Sequence, residues 1–321
     1  MNDLVERVLR RDLRAAARLM RDLDDGAAGA RAALAALYPH TGGAFVVGVT
    51  GHPGVGKSTL VDALVAHHRA AGERVGVVAV DPSSPFSGGA LLGDRVRMQR
   101  HATDEGVFIR SLATRGALGG LSRSTTAAVA VLDAAGFPVI YLETVGVGQA
   151  EIDVASAADA VVVVTAPGLG DGVQALKAGL LEIADVLVVN KADRDGADHA
   201  LKDLTTMLQI AERPAWPGES ARALPALVRA VASRGEGTAE IVAALAALRG
   251  AAPEARAQRR RRQAVAQVLA LVGEIGVERA RAAIGNDENR GPEAPTIDAV
   301  AARALDPWSA AEHLFRGKVT P

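Results

Sequence analysis

The sequence predicts an α/β fold in which a mainly parallel central sheet is flanked by helices on both faces. Two observations predict it. From residue 44 to about 249, short valine-rich runs alternate with stretches whose apolar residues recur at helical spacing. The first run, Phe45-Val46-Val47-Gly48-Val49, leads directly into Gly51-His52-Pro53-Gly54-Val55-Gly56-Lys57-Ser58, a G-x-x-x-x-G-K-[ST] loop. Leu60, Val61, Leu64 and Val65 then follow in helical register, so strand, glycine loop and helix occur in the order the motif requires.

Taken in order, residues 2–37 read as helical, because Leu4, Val8, Leu9, Leu13, Ala16, Leu19, Met20 and Leu23 recur at threes and fours. Asp24-Asp25-Gly26 predicts a break into two helices. Residues 1–40 therefore form a helical arm, expected to pack on the main domain, 41–250. After the first strand and helix, strands are expected at 74–80 ending on Asp81, at 107–110, at 139–142 ending on Glu143, at 160–165 and at 186–190. In such sheets ligands sit at the carboxyl ends of the strands, and here those ends carry the glycine loop, Asp81, Glu143 and Asn190. An apolar run at 224–228 precedes Val231 to Gly237, which opens a helix at 238–249. Residues 251–321 form a helical extension. Its basic run, Arg259 to Arg262, reads as a solvated helix face near acidic neighbours. Val265, Val268, Leu269, Val272, Ile275 and Val277 make an apolar stripe with no sheet to cover, which predicts self-association. Residues 285–296 read as an exposed loop, and Asp306-Pro307-Trp308 starts a last short helix.

Composition excludes several classes. With 36 basic and 37 acidic residues the net charge is −1, so no bulk electrostatic attraction to nucleic acid exists. The absence of cysteine removes disulfides, thiolate metal sites and cysteine nucleophiles, and fits a reducing cytoplasm. The first residues are charged and helical, unlike a signal peptide, and no apolar run reaches the ~18 residues of a membrane span.

The candidate site follows from the loops. Gly51, Pro53, Gly54, Val55, Gly56 and Thr59 belong to a turn whose backbone N–H groups face inward around phosphate oxygens, at the positive end of a helix. Lys57 reaches the β- and γ-phosphates, and Ser58 offers its hydroxyl to Mg²⁺. Asn190-Lys191-Ala192-Asp193 selects the base: the Asp193 carboxylate accepts both the ring N–H and the amine of guanine, Asn190 holds the loop, and the Lys191 stem lies over the ring. Adenine would leave that carboxylate unpaired, so GTP is expected over ATP. Val231-Ala232-Ser233 is expected to support guanine from its backbone; Ser220-Ala221 is set aside because no apolar strand precedes it. Glu143-Thr144-Val145-Gly146 has the layout acid, two residues, glycine, which places Glu143 near Mg²⁺ and the Gly146 N–H near the γ-phosphate. Asp81 and Asp94 are candidate carboxylates of the metal shell, or else caps of a turn and a helix. Val147 stands where many small GTPases have a water-orienting glutamine, and Gln149 follows two residues later. The candidate catalytic set is thus Lys57, Glu143, Gly146 and Gln149, with slow intrinsic hydrolysis expected.

Read together, the glycine loop, Val80-Asp81-Pro82-Ser83-Ser84-Pro85, Leu92-Gly93-Asp94-Arg95-Val96-Arg97-Met98, Glu143-Thr144-Val145-Gly146-Val147-Gly148-Gln149 and Asn190-Lys191-Ala192-Asp193 resemble, over about 40–320, the G-protein chaperones of methylmalonyl-CoA mutase, the MeaB/ArgK/MMAA group. The resemblance implies a P-loop GTPase of the SIMIBI class that uses GTP/GDP and Mg²⁺ and forms homodimers through C-terminal helices. It implies a partner, an adenosylcobalamin-dependent acyl-CoA mutase, whose cofactor loading the protein gates and which it protects or reactivates. By position it implies Ser58, Asp81, Asp94 and Glu143 around the metal, and switch segments at 82–98, 144–156 and 166–178. Two alternatives are a kinase, as in the group's older arginine/ornithine transport label, and a metal-insertion GTPase. Seven histidines without a cluster, and no cysteine, argue against the latter.

Overall fold

The computed structural model describes residues 2–81, 98–101, 103–113, 123–144, 154–168, 180–210, 223–250, 253–286 and 289–316. They divide into two compact units, Met1–Gln263 and Ala264–Pro321.

The first unit opens with α1 (Asn2–Leu9), α2 (Leu13–Asp24) and α3 (Ala30–Leu37). The sequence anticipates the break near Gly26 but not the one at residues 10–12. There Arg11 takes a left-handed φ of +67° and Asp12 caps α2, accepting from the N–H of Arg14 at 2.9 Å and of Ala15 at 3.1 Å. The leucine periodicity runs straight through this corner, which hides it. Leu19 and Leu37 are fully buried in the same core as the sheet, so the arm is part of this unit.

Seven strands follow: β1 (Phe45–Thr50), β2 (Val75–Asp81), β3 (Val107–Ala113), β4 (Val139–Thr144), β5 (Ala160–Thr165), β6 (Val186–Val189) and β7 (Ala226–Arg229). They form one sheet in the order β3-β2-β4-β1-β5-β6-β7, and every pairing is parallel. Every residue of β1, β4 and β5 is buried, which explains their near-continuous apolar composition. Among the described residues, the longer helices that accompany the strands are α4 (Lys57–Ala70), α5 (Arg123–Ala134), α6 (Ala197–Ile210), α7 (Thr238–Arg249) and the start of α8 (Pro253–Ile284). On one face Leu60 and Leu64 of α4 and Ile241 and Leu245 of α7 pack on Val47, Val49, Tyr141 and Val162. On the other, α1, α2, α3, α5 and α6 cover Val46, Ile140, Leu142 and Val163.

The amino-terminal edge of the sheet is capped by carboxylates. Asp133 accepts from the N–H of Gly42 at 2.5 Å, Gly43 at 3.1 Å and Ala44 at 2.8 Å. Asp159 accepts from Val46 and Asp185 from Val161, both at 2.9 Å. The basic run of α8 meets this edge rather than solvent alone: Arg259 pairs with Asp185 at 3.3 Å and Arg260 donates to the Gly42 carbonyl at 2.7 Å. Gln263 adds a bond to the Ala158 carbonyl at 2.7 Å.

The second unit holds the rest of α8, then α9 (Ala294–Ala301) and α10 (Pro307–Arg316). Helix α9 begins inside the stretch expected to be a loop. Ala283 and Ala294 are buried, and the Glu293 N–H donates to the Ala283 carbonyl at 2.9 Å. Asp306 caps α10 through the Ser309 N–H at 3.0 Å. The apolar stripe of α8, Val265 to Val277, is 36 to 65% exposed.

Helix α4 carries the glycine loop at its start and is tied to β4 near its end. His68 contacts Tyr141 Oη through Nε2 at 2.9 Å and Glu73 through Nδ1 at 2.6 Å. Burial pushes the Tyr141 hydroxyl well above its ordinary range, so it stays protonated, and the His68 tautomer sets the direction of each bond. Tyr141→Phe leaves the buried Nε2 without its partner and is expected to cost about 1–3 kcal/mol of stability. Urea denaturation measures it, and an unchanged midpoint would show that the bond contributes nothing net.

Candidate nucleotide site

The parallel arrangement delivers the loops after β1, β4, β6 and β7 to one edge of the sheet. β1 and β4 are neighbours, with Val49 opposite Glu143, so the acid lies beside the strand that feeds the glycine loop. Two glycines of that loop are required by geometry. Gly51 has φ +137°, and a Cβ there would strike the Val164 carbonyl of β5. Gly56 has φ +97°, and a Cβ there would lie 2.5 Å from the Asn190 side-chain nitrogen.

Within the loop the buried Lys57 Nζ donates to the carbonyls of Gly51 at 2.7 Å and His52 at 3.1 Å. Its ammonium thus lies against the loop that would enclose phosphates. Ser58 Oγ donates to Glu143 Oε1 at 2.6 Å, and both residues are buried. A hydroxyl and a carboxylate side by side are hard oxygen donors of the kind Mg²⁺ takes, so these residues fit that ion. One residue on, Thr144 Oγ1 donates to Thr50 Oγ1 at 3.0 Å, a second bond between β4 and β1 that sequence patterns do not signal.

The loop after β6 closes the other end. Asn190, 2% exposed, donates from Nδ2 to the Val55 carbonyl at 2.8 Å and accepts at Oδ1 from the Ala232 N–H at 3.0 Å. Lys191 has a left-handed φ of +55° and its Nζ donates to the Gly54 carbonyl at 2.6 Å, so its stem spans from this loop to the glycine loop. The Ala192 N–H donates to the Ala230 carbonyl at 3.0 Å. Asp193 is partly exposed and pairs with Arg234 at 3.3 Å. Sequence reasoning passed over Arg234, whose only signal is a basic residue directly after Val231-Ala232-Ser233.

The structure therefore brings together Gly51 to Thr59, Glu143, Asn190, Lys191, Asp193 and Val231 to Ser233, with Pro53, Gly54, Thr59 and Ser233 exposed. Asp81 is the last residue of β2, two strands from the glycine loop's β1, and only its backbone is described. Asp94, Gly146 and Gln149 lie outside the described residues, as do Ser220-Ala221 and most of the three switch segments. Among the described residues no group of three or more His, Cys, Asp or Glu side chains is placed to hold a metal, and no helix is long and apolar enough to cross a membrane.

A family profile described as methylmalonyl-CoA mutase-associated GTPase MeaB matches residues 17–284. The chain is 46% identical to a putative GTPase of Pyrococcus horikoshii over 314 residues, 97% of this chain and 96% of the relative. It is 38% identical over 202 residues to a mouse protein named methylmalonic aciduria type A homolog, mitochondrial, covering 61% of this chain and 47% of that one. Among solved structures it is similar to a crystal structure of LAO/AO transport system kinase, with TM-score 0.70 and 26% identity over 99% of this chain and 97% of the other.

Asn190→Ala removes two of the bonds that join the loops after β1, β6 and β7 and leaves a buried N–H and a buried carbonyl unpaired. With a cost of about 1–3 kcal/mol for one such group falling on the nucleotide-bound state, affinity is expected to fall roughly 5- to 150-fold. Titration with a fluorescent GDP checks this, and an unchanged Kd would detach Asn190 from the site.

Proposed function

We propose the following function for this chain, which belongs to the MeaB family of methylmalonyl-CoA mutase-associated GTPases and is itself a GTPase. It binds GTP with Mg²⁺ and acts as a G-protein chaperone that gates adenosylcobalamin loading of a B12-dependent acyl-CoA mutase, methylmalonyl-CoA mutase or a close relative, and protects or reactivates that enzyme. The observation that carries the nucleotide assignment is the hydrogen bonding of the Asn190-Lys191-Ala192-Asp193 loop onto the glycine loop, through Val55 and Gly54. The partner follows from family membership.

In this reading the loop N–H groups and Lys57 bind the phosphates, and Asp193, Lys191 and the Val231-Ala232-Ser233 backbone bind guanine. Ser58 and Glu143 hold Mg²⁺, with Asp81 and Asp94 around them, and the ion supplies charge neutralisation at the β- and γ-phosphates. Gly146 contacts the γ-phosphate, and Gln149 orients the attacking water when a partner is bound. The exposed stripe on α8 takes a second copy of the chain: Val265, Val268, Val272 and Ile275 are spaced by three, four and three, the pattern of a two-helix seam. The protein works in the cytoplasm, without nucleic acid or membrane.

Asp193→Asn removes the acceptor for two guanine donors and is expected to weaken GTP roughly a hundredfold, with xanthosine nucleotides favoured in its place. Competition binding of GTP, XTP and ATP measures this; retained GTP preference would cancel the base assignment. For the chaperone role, steady-state GTP hydrolysis is compared with and without apo-mutase. A slow basal rate raised severalfold or more by the mutase, and not raised in Gln149→Ala, is expected. A fast basal rate that no cobalamin-dependent mutase alters would remove the chaperone reading.

A further inference from the structure

We propose that Arg234 is a built-in competitor for the guanine base: it occupies the Asp193 carboxylate and gives up one oxygen when guanine binds, and so tunes base discrimination and nucleotide release. This rests on the assignment of Asp193 to the base made above.

Arg234 Nη2 lies 3.3 Å from Asp193 Oδ2, and Nη1 lies 3.8 Å from Glu236 Oε1. The guanidinium thus sits between two carboxylates. Its backbone is fixed on both sides. Arg234 ends the short helical turn Ala232–Arg234, whose first N–H is held by Asn190 Oδ1, and its own N–H donates to the Val231 carbonyl at 2.8 Å. Gly235 then turns the chain at φ +72°, and the Val231 N–H donates to the Glu236 carbonyl at 3.1 Å. The same residues that hold the base loop therefore hold Arg234 against Asp193.

Guanine needs both oxygens of Asp193, one for its ring N–H and one for its exocyclic amine. Hypoxanthine has the ring N–H but no amine and needs only one. A guanidinium on Oδ2 therefore competes with guanine and leaves an oxygen for hypoxanthine. When displaced, Arg234 has Glu236 to move to, so its charge stays paired. Arg234 and Asp193 are 60% and 37% exposed at their side chains, so the pair is screened by water. An exposed ion pair of this kind is worth a two- to fivefold change in affinity, on the order of the range measured for surface pairs.

The test measures Kd for GDP, IDP and ADP, and the release rate of a fluorescent GDP, in the full chain and in Arg234→Ala, Arg234→Lys, Glu236→Gln and the double variant Arg234→Ala/Glu236→Gln. Arg234→Ala is expected to bind GDP about two- to fivefold tighter and to release it more slowly, with IDP little changed, so the preference for GDP over IDP rises. Arg234→Lys keeps a cation at Asp193 and stays near wild type. Glu236→Gln weakens GDP in the wild-type background, because Arg234 loses its alternative partner, and has no such effect when Arg234 is alanine. An unchanged or reduced preference for GDP over IDP in Arg234→Ala overturns the proposal while leaving Asp193 as the base residue. A wild-type chain that binds ADP as tightly as GDP overturns the base assignment, and this proposal with it.

Discussion

One buried amide holds the nucleotide end of the sheet together. Asn190 donates to Val55 in the glycine loop and accepts from Ala232 after β7, while standing directly after β6. An amide side chain donates from one atom and accepts at another, which suits a residue bridging two loops. Its surroundings are dry, so each bond removed would leave a group unpaired rather than handed to water. Gly56 follows from the same side chain, because any Cβ there would meet the Asn190 nitrogen. The parallel sheet makes this economical, since three loops distant in sequence arrive at one point.

The opposite edge obeys a different constraint. A parallel sheet begins with backbone N–H groups that the ladder leaves over, and buried ones need acceptors. Asp133, Asp159 and Asp185 supply them. Their charge then draws in the first turns of α8, where Arg259 pairs with Asp185 and Arg260 caps the Gly42 carbonyl. The start of α8 is thus fastened to the end of the strands opposite the nucleotide loops. Removing Arg259 would leave an Asp185 that is only 8% exposed with less of its charge compensated, a larger change than loss of a solvated arginine.

Much of this was legible in the sequence because it rests on local rules. The glycine loop needs its strand and helix, and buried parallel strands need continuous apolar runs, so β1 to β6 fall within a few residues of the pattern. Asn190 and Asp193 are readable because their spacing is fixed by one tight loop. The features that stayed hidden depend on tertiary partners. The corner at Arg11 and Asp12 is masked by a leucine repeat that continues through it. The buried start of α9 depends on the bond from the Glu293 N–H to the Ala283 carbonyl. The contacts of Arg259 with Asp185, and of Arg234 with Asp193, join residues 74 and 41 positions apart, and no local pattern encodes them.

The acid at the end of β4 shows how a small sequence difference acts through this frame. From the same backbone position Glu143 reaches one methylene further than an aspartate would, roughly 1.5 Å at most. From a strand residue opposite Val49, Glu143 uses that length to meet Ser58 Oγ directly on the first turn of α4. Thr144 adds a bond to Thr50, the residue just before the glycine loop. β4 and the phosphate loop are therefore joined twice within two consecutive residues, both buried. The chain that carries Gly146 and Gln149 departs from this doubly held point.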